Sequence, residues 1–143
     1  MTTLDQILLG TVLLIICSLL HVVVLVWSVD VLQKFGHRFS ELATARHQGL
    51  LIGALFATVV FSHTLQVWIW AIAFVVLGAI DGLSQSIYFA LTSYTTLGYG
   101  DVTLGPAFRV FGAMSAVTGL LTFGLSTAFL AGLLARLLPR SED

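Results

Sequence analysis

Apolar residues fall into three long runs and one short one along the chain. The long runs cover roughly 6–31, 49–80 and 107–138, and each is long enough to cross about 30 Å of hydrocarbon. The middle run has residues to spare, which tilt or a projecting end would absorb. Between the second and third runs lies a shorter apolar stretch, Leu83 to Tyr94. As a helix it would cover about 18 Å, part of the bilayer only. A helix that enters so far must be followed by chain that climbs back out. Non-helical backbone at that depth survives only inside protein or along a water-filled path. Residues 95–101, with Gly98 and Gly100, are that returning segment. The pattern predicts an all-α integral membrane protein with three transmembrane helices, a re-entrant helix and a loop.

Residues 32–48 are the charge-rich interior of the chain. Leu32, Phe35, Phe39 and Leu42 fall at helical spacing, and Lys34, Arg38 and Glu41 fall mostly elsewhere on the wheel. This predicts a short amphipathic helix at the membrane surface, broken or started near Gly36. Asp30 and Lys34 are four apart and suit a local pair. The domain plan is then an N-terminal transmembrane helix at 1–31, an amphipathic linker at 32–48 and a second module at 49–138. Lys34, Arg38 and Arg46 lie between the first two runs, and Arg136 and Arg140 lie in and after the end of the third. Three spans put both groups on one side, which the positive-inside rule makes cytoplasmic. The N-terminus and the re-entrant loop would face outward, with Arg109 as the exception in charge.

Composition narrows the solvent. Apolar residues make up 58% and charged residues 9%, with a mean hydropathy of +1.03. A soluble domain carries about 25% charged residues. The bilayer is therefore the expected partner, in a multi-pass protein of the plasma membrane. A net charge of −1 points to no nucleic-acid partner. One cysteine, Cys17, cannot build a disulfide within the chain and reads as a small buried hydrophobe. The first run is too long for a signal-peptide core and reads as a retained helix. No span carries regularly spaced arginines, so no voltage sensor is expected. No catalytic triad, acidic dyad or His/Glu metal spacing occurs in the apolar region, so neither an enzyme nor a cofactor is expected.

The chemistry sits in Thr95-Thr96-Leu97-Gly98-Tyr99-Gly100-Asp101. A cation passing a narrow pore must shed water, and backbone carbonyls can replace that water if successive oxygens face one way. A regular strand alternates them, so the backbone conformation must alternate instead. Gly98 and Gly100 permit the positive φ angles this needs. The Thr96 hydroxyl can add a ligand, and Tyr99 can pack outward and hold the ring open. Ser84 is a candidate N-cap for the short helix before it.

This segment resembles the potassium-channel filter signature, with Leu97 where valine or isoleucine is commoner. The resemblance covers about residues 50–138, an outer helix, pore helix, filter and inner helix. It implies stacked K⁺ sites at Thr96, Leu97, Gly98 and Tyr99, closed by Gly100, with K⁺ as the permeant ion. One filter per chain then implies a homotetramer. Thr95, Asp101, Tyr88, Phe89 and Thr92 become filter supports, Tyr88 and Phe89 as bracing aromatics. Many members carry an acid where this chain has Thr92, so a carboxylate link to Asp101 is not expected here. The C-terminal end of the pore helix would favour a cation below the filter.

The third run suits an inner helix. Pro106 fits its first turn. Gly112, Ala116, Gly119, Gly124 and Gly132 keep it narrow, and Gly119 matches the family's hinge position. Two faces compete to line a cavity: the hydroxyl stripe Ser115, Thr118, Thr122 and Ser126, and the face of Phe123, Thr127 and Ala131. Resemblance at Phe123-Gly124 favours the second, with Phe123 as a narrow point and the hydroxyls toward the pore helix and the adjacent subunit. His21 and His63 lie inside spans. Each reads as a neutral histidine bonded to a neighbour, His63 to Gln66 for example, with a pH sensor as the sharper alternative. Trp68 and Trp70 point to different sides of a helix, so at most one is a headgroup anchor. Against the potassium channel stand a non-selective cation channel, which would usually replace Tyr99, and a non-conducting membrane adaptor, which would leave the filter unexplained.

Overall fold

The computed structural model describes residues 1–39 and 45–137. Four helices are found among them, and no strand: α1 (Thr3–Phe39), α2 (Ala45–Val76), α3 (Leu83–Tyr94) and α4 (Arg109–Leu137). Three segments are long and apolar enough to cross a membrane, Thr3–Val31, Gly49–Val76 and Arg109–Ala135. The twelve-residue α3 lies between the second and third. The protein is thus an all-helical, multi-pass membrane protein with a re-entrant helix, as the hydrophobic pattern predicts.

Boundaries differ in instructive places. Helix α1 continues through Gly36 to Phe39, so the expected break at that glycine does not occur. Residues 40–44 of the surface segment, and the tail from 138 with Arg140, lie outside the described residues. So do the side chains of Leu32, Phe35, Phe39 and Leu42 that define its apolar face, and that of Arg38. The second helix stops at Val76, and residues 77–82 form turns instead of continuing the span. Helix α3 starts two residues earlier than the Ser84 cap predicts. Its N-cap is Gly82, at φ 87°, and no side chain caps it. Pro106 sits in a turn three residues before α4 rather than in its first helical turn.

The core lies among α2, α3 and α4. Trp70, Phe74 and Phe111 are fully buried and meet at ring-centroid distances of 5.2 to 5.8 Å, with Phe89 edge-on to Phe74 at 5.1 Å. Cys17 of α1 is buried against this cluster, and Trp68 on the other side of α2 is exposed. In a bilayer, apolar burial alone gives little drive, because lipid tails are as apolar as leucine; close packing and hydrogen bonds decide which helices touch. Helix α1 shows this. Its buried positions Gln6, Cys17, His21, Leu25 and Ser28 follow one helical stripe, while Leu8, Val12, Ile15, Leu19 and Val23 are exposed. With Gly10, which is buried too, three of the six are polar.

Gln6 fixes the N-terminal end of that stripe. The first backbone N–H groups of a helix have no partner within it. The Gln6 carboxamide oxygen accepts from the N–H of Val110 at 3.0 Å and of Phe111 at 3.4 Å, and its NH₂ donates to the Pro106 carbonyl at 3.3 Å. One helix therefore caps another. Further in, α4 crosses the C-terminal end of α3 at Gly119, where an added Cβ would overlap the Tyr94 carbonyl.

These two contacts predict an order of stabilities. Gln6→Leu keeps the volume but strands two amide hydrogens, at a cost of about 1–2 kcal/mol. Gly119→Ala drives a methyl into backbone that cannot yield without shifting α3, at a cost of about 3 kcal/mol. Thermal unfolding of detergent-purified protein should rank wild type above Gln6→Leu and Gln6→Leu above Gly119→Ala. The reverse order of the two variants would refute this account of the α3–α4 crossing.

Candidate functional site

The segment after α3 is the most unusual backbone in the chain. Positive φ angles occur at Thr96 (60°), Gly98 (52°) and Gly100 (79°), every second residue, while Leu97 and Tyr99 between them do not share it. Gly98 and Gly100 adopt this region at little steric cost. Thr96 does not: a β-branched residue there is strained, and such strain persists where the surroundings over-determine it. Alternating handedness of this kind can aim successive carbonyls to one side. The sequence suggested the two glycines; Thr96 as a third position carries no such signal, because threonine normally avoids it.

The same segment closes α3. A helix end leaves its last carbonyls without partners. Here the N–H of Thr95 donates to Leu91 O at 3.0 Å, that of Thr96 to Ser93 O at 2.9 Å and that of Gly98 to Thr92 O at 3.0 Å. The Thr95 hydroxyl adds a bond to Leu91 O at 2.7 Å. Each bond positions the loop and satisfies the helix at once. The Thr92 hydroxyl turns back to Phe89 O at 3.1 Å, so Thr92 supports the loop through its carbonyl.

Asp101 is held from another side. The Tyr88 hydroxyl donates to its Oδ2 at 2.6 Å. That bond, aided by the backbone N–H groups of Asp101 and Val102, holds the carboxyl below its usual range against a smaller opposing effect of desolvation. The expectation that Thr92 would give Asp101 no carboxylate partner stands beside a link the sequence reading did not specify. Phe89, the other aromatic, packs on Phe74 within the chain and does not reach this group.

Leu97 and Tyr99 are 55% and 67% exposed, and all of residues 95–101 are exposed on the single chain. Their apolar side chains find no cover in their own protomer. On α4, Phe123, Thr127 and Ala131 are exposed too. The hydroxyl stripe Ser115, Thr118, Thr122 and Ser126 is buried, each hydroxyl bonding a carbonyl of the preceding turn. Thr122 also meets the Tyr94 hydroxyl at 2.8 Å. Gly119 lies within the unbroken helix α4, at the close crossing already described.

The histidines need a correction. His63 does not bond Gln66. Its Nδ1 lies 2.8 Å from the Tyr94 hydroxyl and its Nε2 3.0 Å from Ser126 Oγ. Gln66 instead reaches His21 of α1 at 3.1 Å. Two residues three apart on α2 thus serve different neighbours, since each side chain follows the helix packed against it. His21 further bonds Ser62 and Ser126, both at 2.8 Å. The sequence flagged both histidines, but nothing in it said that four helices meet there. Groups of three or more metal-ligating side chains are absent among the described residues.

A family model described as ion channel matches residues 50–136, more than half of the chain. That range takes in nearly all of α2, all of α3, the alternating loop and α4, and leaves α1 outside. No curated protein and no solved structure matches the chain. By this match and by its membrane-spanning helices, the chain belongs to the ion channel family.

Proposed function

We propose that this ion channel subunit conducts K⁺ passively and selectively, through a filter formed by the carbonyls of Thr96, Leu97, Gly98 and Tyr99 and closed by Gly100. The observation that carries this reading is the alternation of left-handed backbone at 96, 98 and 100. Carbonyls aimed one way can replace the hydration shell of a dehydrated cation. The α3 end beside them adds a partial negative charge that favours a cation. One segment cannot surround an ion, and the exposed Leu97 and Tyr99 ask for neighbours, so the pore is a homotetramer. Phe123, Thr127 and Ala131, exposed on α4, line its cavity. K⁺ is the permeant ion and no cofactor takes part. Retention of Tyr99 in the signature speaks against a non-selective pore.

The orientation follows from charge. In the plasma membrane, Lys34, Arg38, Arg46, Arg136 and Arg140 face the cytoplasm, with the N-terminus and Asp101 outside. Cysteines placed at Thr3 and Ser141 should label from opposite sides of the membrane. Labelling of both from one side would exclude three spans.

Selectivity has a direct test in liposomes under asymmetric K⁺ and Na⁺. The reversal potential should follow K⁺, and Gly98→Ala should abolish K⁺ current, because a Cβ strains the backbone at φ 52°. The conducting species should crosslink as a tetramer. Equal permeability of K⁺ and Na⁺ in the wild type, or conduction by a monomer or dimer, would overturn the proposal.

The Tyr88–Asp101 bond makes a pH prediction. Because the folded Asp101 pKa is lowered, the bond's contribution is fully present above the ordinary carboxylate range, near 3.9. It is lost as pH falls through the lowered value. Tyr88→Phe should raise the Asp101 pKa toward the ordinary one, read by carboxyl NMR of labelled aspartate. It should also shorten the time for which the filter conducts at neutral pH, where the wild-type bond is fully present. An Asp101 titration unchanged in Tyr88→Phe would show that the hydroxyl does not hold the carboxylate.

A further inference from the structure

His63 sits where all four helices meet. Helix α1 brings His21, with Cys17 packed in the core near Tyr94; α2 brings Ser62 and Gln66; α3 brings Tyr94; α4 brings Thr122, Phe123 and Ser126. No carboxylate, lysine or arginine bonds into this cluster among the described residues. The titratable groups facing His63 are therefore His21 and Tyr94, with Cys17 behind them near Tyr94.

Hydrogens can be assigned one contact at a time. The Gln66 NH₂ group faces both His21 Nδ1 at 3.1 Å and the Ser62 carbonyl at 3.3 Å. Turning the amide over would set two carbonyl oxygens against each other, so the NH₂ assignment holds. An NH₂ only donates, so His21 Nδ1 must accept, from it and from the Ser62 hydroxyl at 2.8 Å, and His21 is neutral with its hydrogen on Nε2. That hydrogen goes to Ser126 Oγ.

The remaining contacts do not close with a neutral His63. Ser126 has one hydrogen and two claimants for it, Thr122 O at 2.8 Å and His63 Nε2 at 3.0 Å. Thr122 has one hydrogen for the carbonyls of the preceding turn, Thr118 at 2.9 Å and Gly119 at 3.2 Å. Tyr94 has one to share between His63 Nδ1 and Thr122 Oγ1, both at 2.8 Å. If His63 carries its hydrogen on Nε2, either the Tyr94–Thr122 contact or the Thr122–Thr118 bond goes without. If it carries it on Nδ1, either the Ser126–Thr122 bond or the His63–Ser126 contact goes without. Each neutral tautomer leaves one short contact empty. With both ring nitrogens protonated, every contact has its hydrogen: His63 donates to Tyr94 and Ser126, Tyr94 donates to Thr122, and Ser126 and Thr122 donate to their own helix.

We propose that His63 is a proton-binding site that closes the pore: one proton taken up between Tyr94 and Ser126 completes the network and lowers cation flux. Burying a charge is costly, and three features offset that cost. The completed network supplies charge-assisted bonds. The C-terminal end of α3, where Tyr94 is the last residue, presents partial negative charge. The Phe123 ring lies 4.5 Å from the His63 ring at 31°, close enough for cation–π attraction. The effect on flux follows from the same features. The proton occupies the negative field that a cation below the filter would use, and it pins Phe123, which is 38% exposed on α4. The first span then has a role, since His21 holds Ser126 with its hydrogen and lone pairs in fixed use.

This inference rests on the channel reading for its effect on flux, but the proton site itself does not. Full-length protein labelled with ¹⁵N-histidine is reconstituted in liposomes and titrated from about pH 7.5 to about pH 5, where histidine changes charge. Both His63 nitrogens should convert to N–H, while His21 stays neutral with its hydrogen on Nε2. Rb⁺ flux should fall along the same titration by about tenfold. His63→Gln should lose this pH dependence. Tyr94→Phe should lose it too while His63 is still present, because removing that hydroxyl leaves as many hydrogens as contacts with His63 neutral. A His63 that stays neutral throughout, or pH dependence that survives in either variant, overturns the proposal. Should Rb⁺ not pass at any pH, the channel reading fails and the nitrogen signals alone decide the proton site.

Discussion

Everything in this fold answers to the fact that backbone polar groups at membrane depth must find partners within the protein. A re-entrant helix breaks the easiest solution, since its end and the loop after it both sit where lipid cannot hydrogen-bond. Here the two deficits cancel. The amides of Thr95, Thr96 and Gly98 turn to the last carbonyls of α3, leaving the loop free to point its own carbonyls elsewhere. The strained Thr96 is the cost of that arrangement, and it falls in the turn where helix gives way to loop. Helix capping and loop geometry are thus one structure, and a change that freed the loop would also unsatisfy the helix.

The crossing at Gly119 ties this unit to α4. Because the Tyr94 carbonyl lies where a Cβ would be, α3 cannot move along or away from α4 without losing a contact made by backbone. Tyr94 reinforces it by bonding Thr122 and His63 through its hydroxyl. The end of the re-entrant helix is therefore set by α2 and α4 together. Helix α1 joins at two heights, with Gln6 on the first amides of α4 and His21 on Ser126 farther down. It lies outside the range matched by the ion channel family, yet its polar stripe is bonded to α4, which lies inside it.

The sequence made the architecture legible because membrane spans are long, continuous signals, and because Leu83–Tyr94 is visibly too short to be one. The three spans, the re-entrant helix and the positive φ of Gly98 and Gly100 could all be reached that way. Ends were less legible. Gly36 did not break α1, since helix propensity is a weak local preference that a glycine alone need not decide. Ser84 looked like a cap but α3 begins before it, with turn geometry at Gly82 setting the start. The side-chain partnerships were the least legible. His63 and Gln66 are neighbours in sequence, and local spacing suggested a pair. Their partners lie on three other helices, and only the packing of those helices could show that. Tyr88 and Asp101, thirteen residues apart across the loop, met for the same reason.

The hydroxyl stripe on α4 shows how packing changes the meaning of a sequence pattern. Four hydroxyls at helical spacing read equally well as a wetted wall or as a buried seam. In the structure they are a seam, and each bonds its own helix first. That local bond uses the hydroxyl hydrogen but leaves the oxygen's lone pairs to accept. Ser126 can therefore receive hydrogens from both histidines while staying tied to Thr122 O. Thr122 can likewise receive one from Tyr94 while tied to Thr118 O. A row of self-satisfied hydroxyls becomes a row of acceptors facing three other helices, and acceptors draw donors. Among the described residues no carboxylate bonds into this seam, and histidine is a group that can add a donor on demand. The seam therefore holds His63 against Tyr94 on one side and Phe123 on the other, at the junction of α3 and α4.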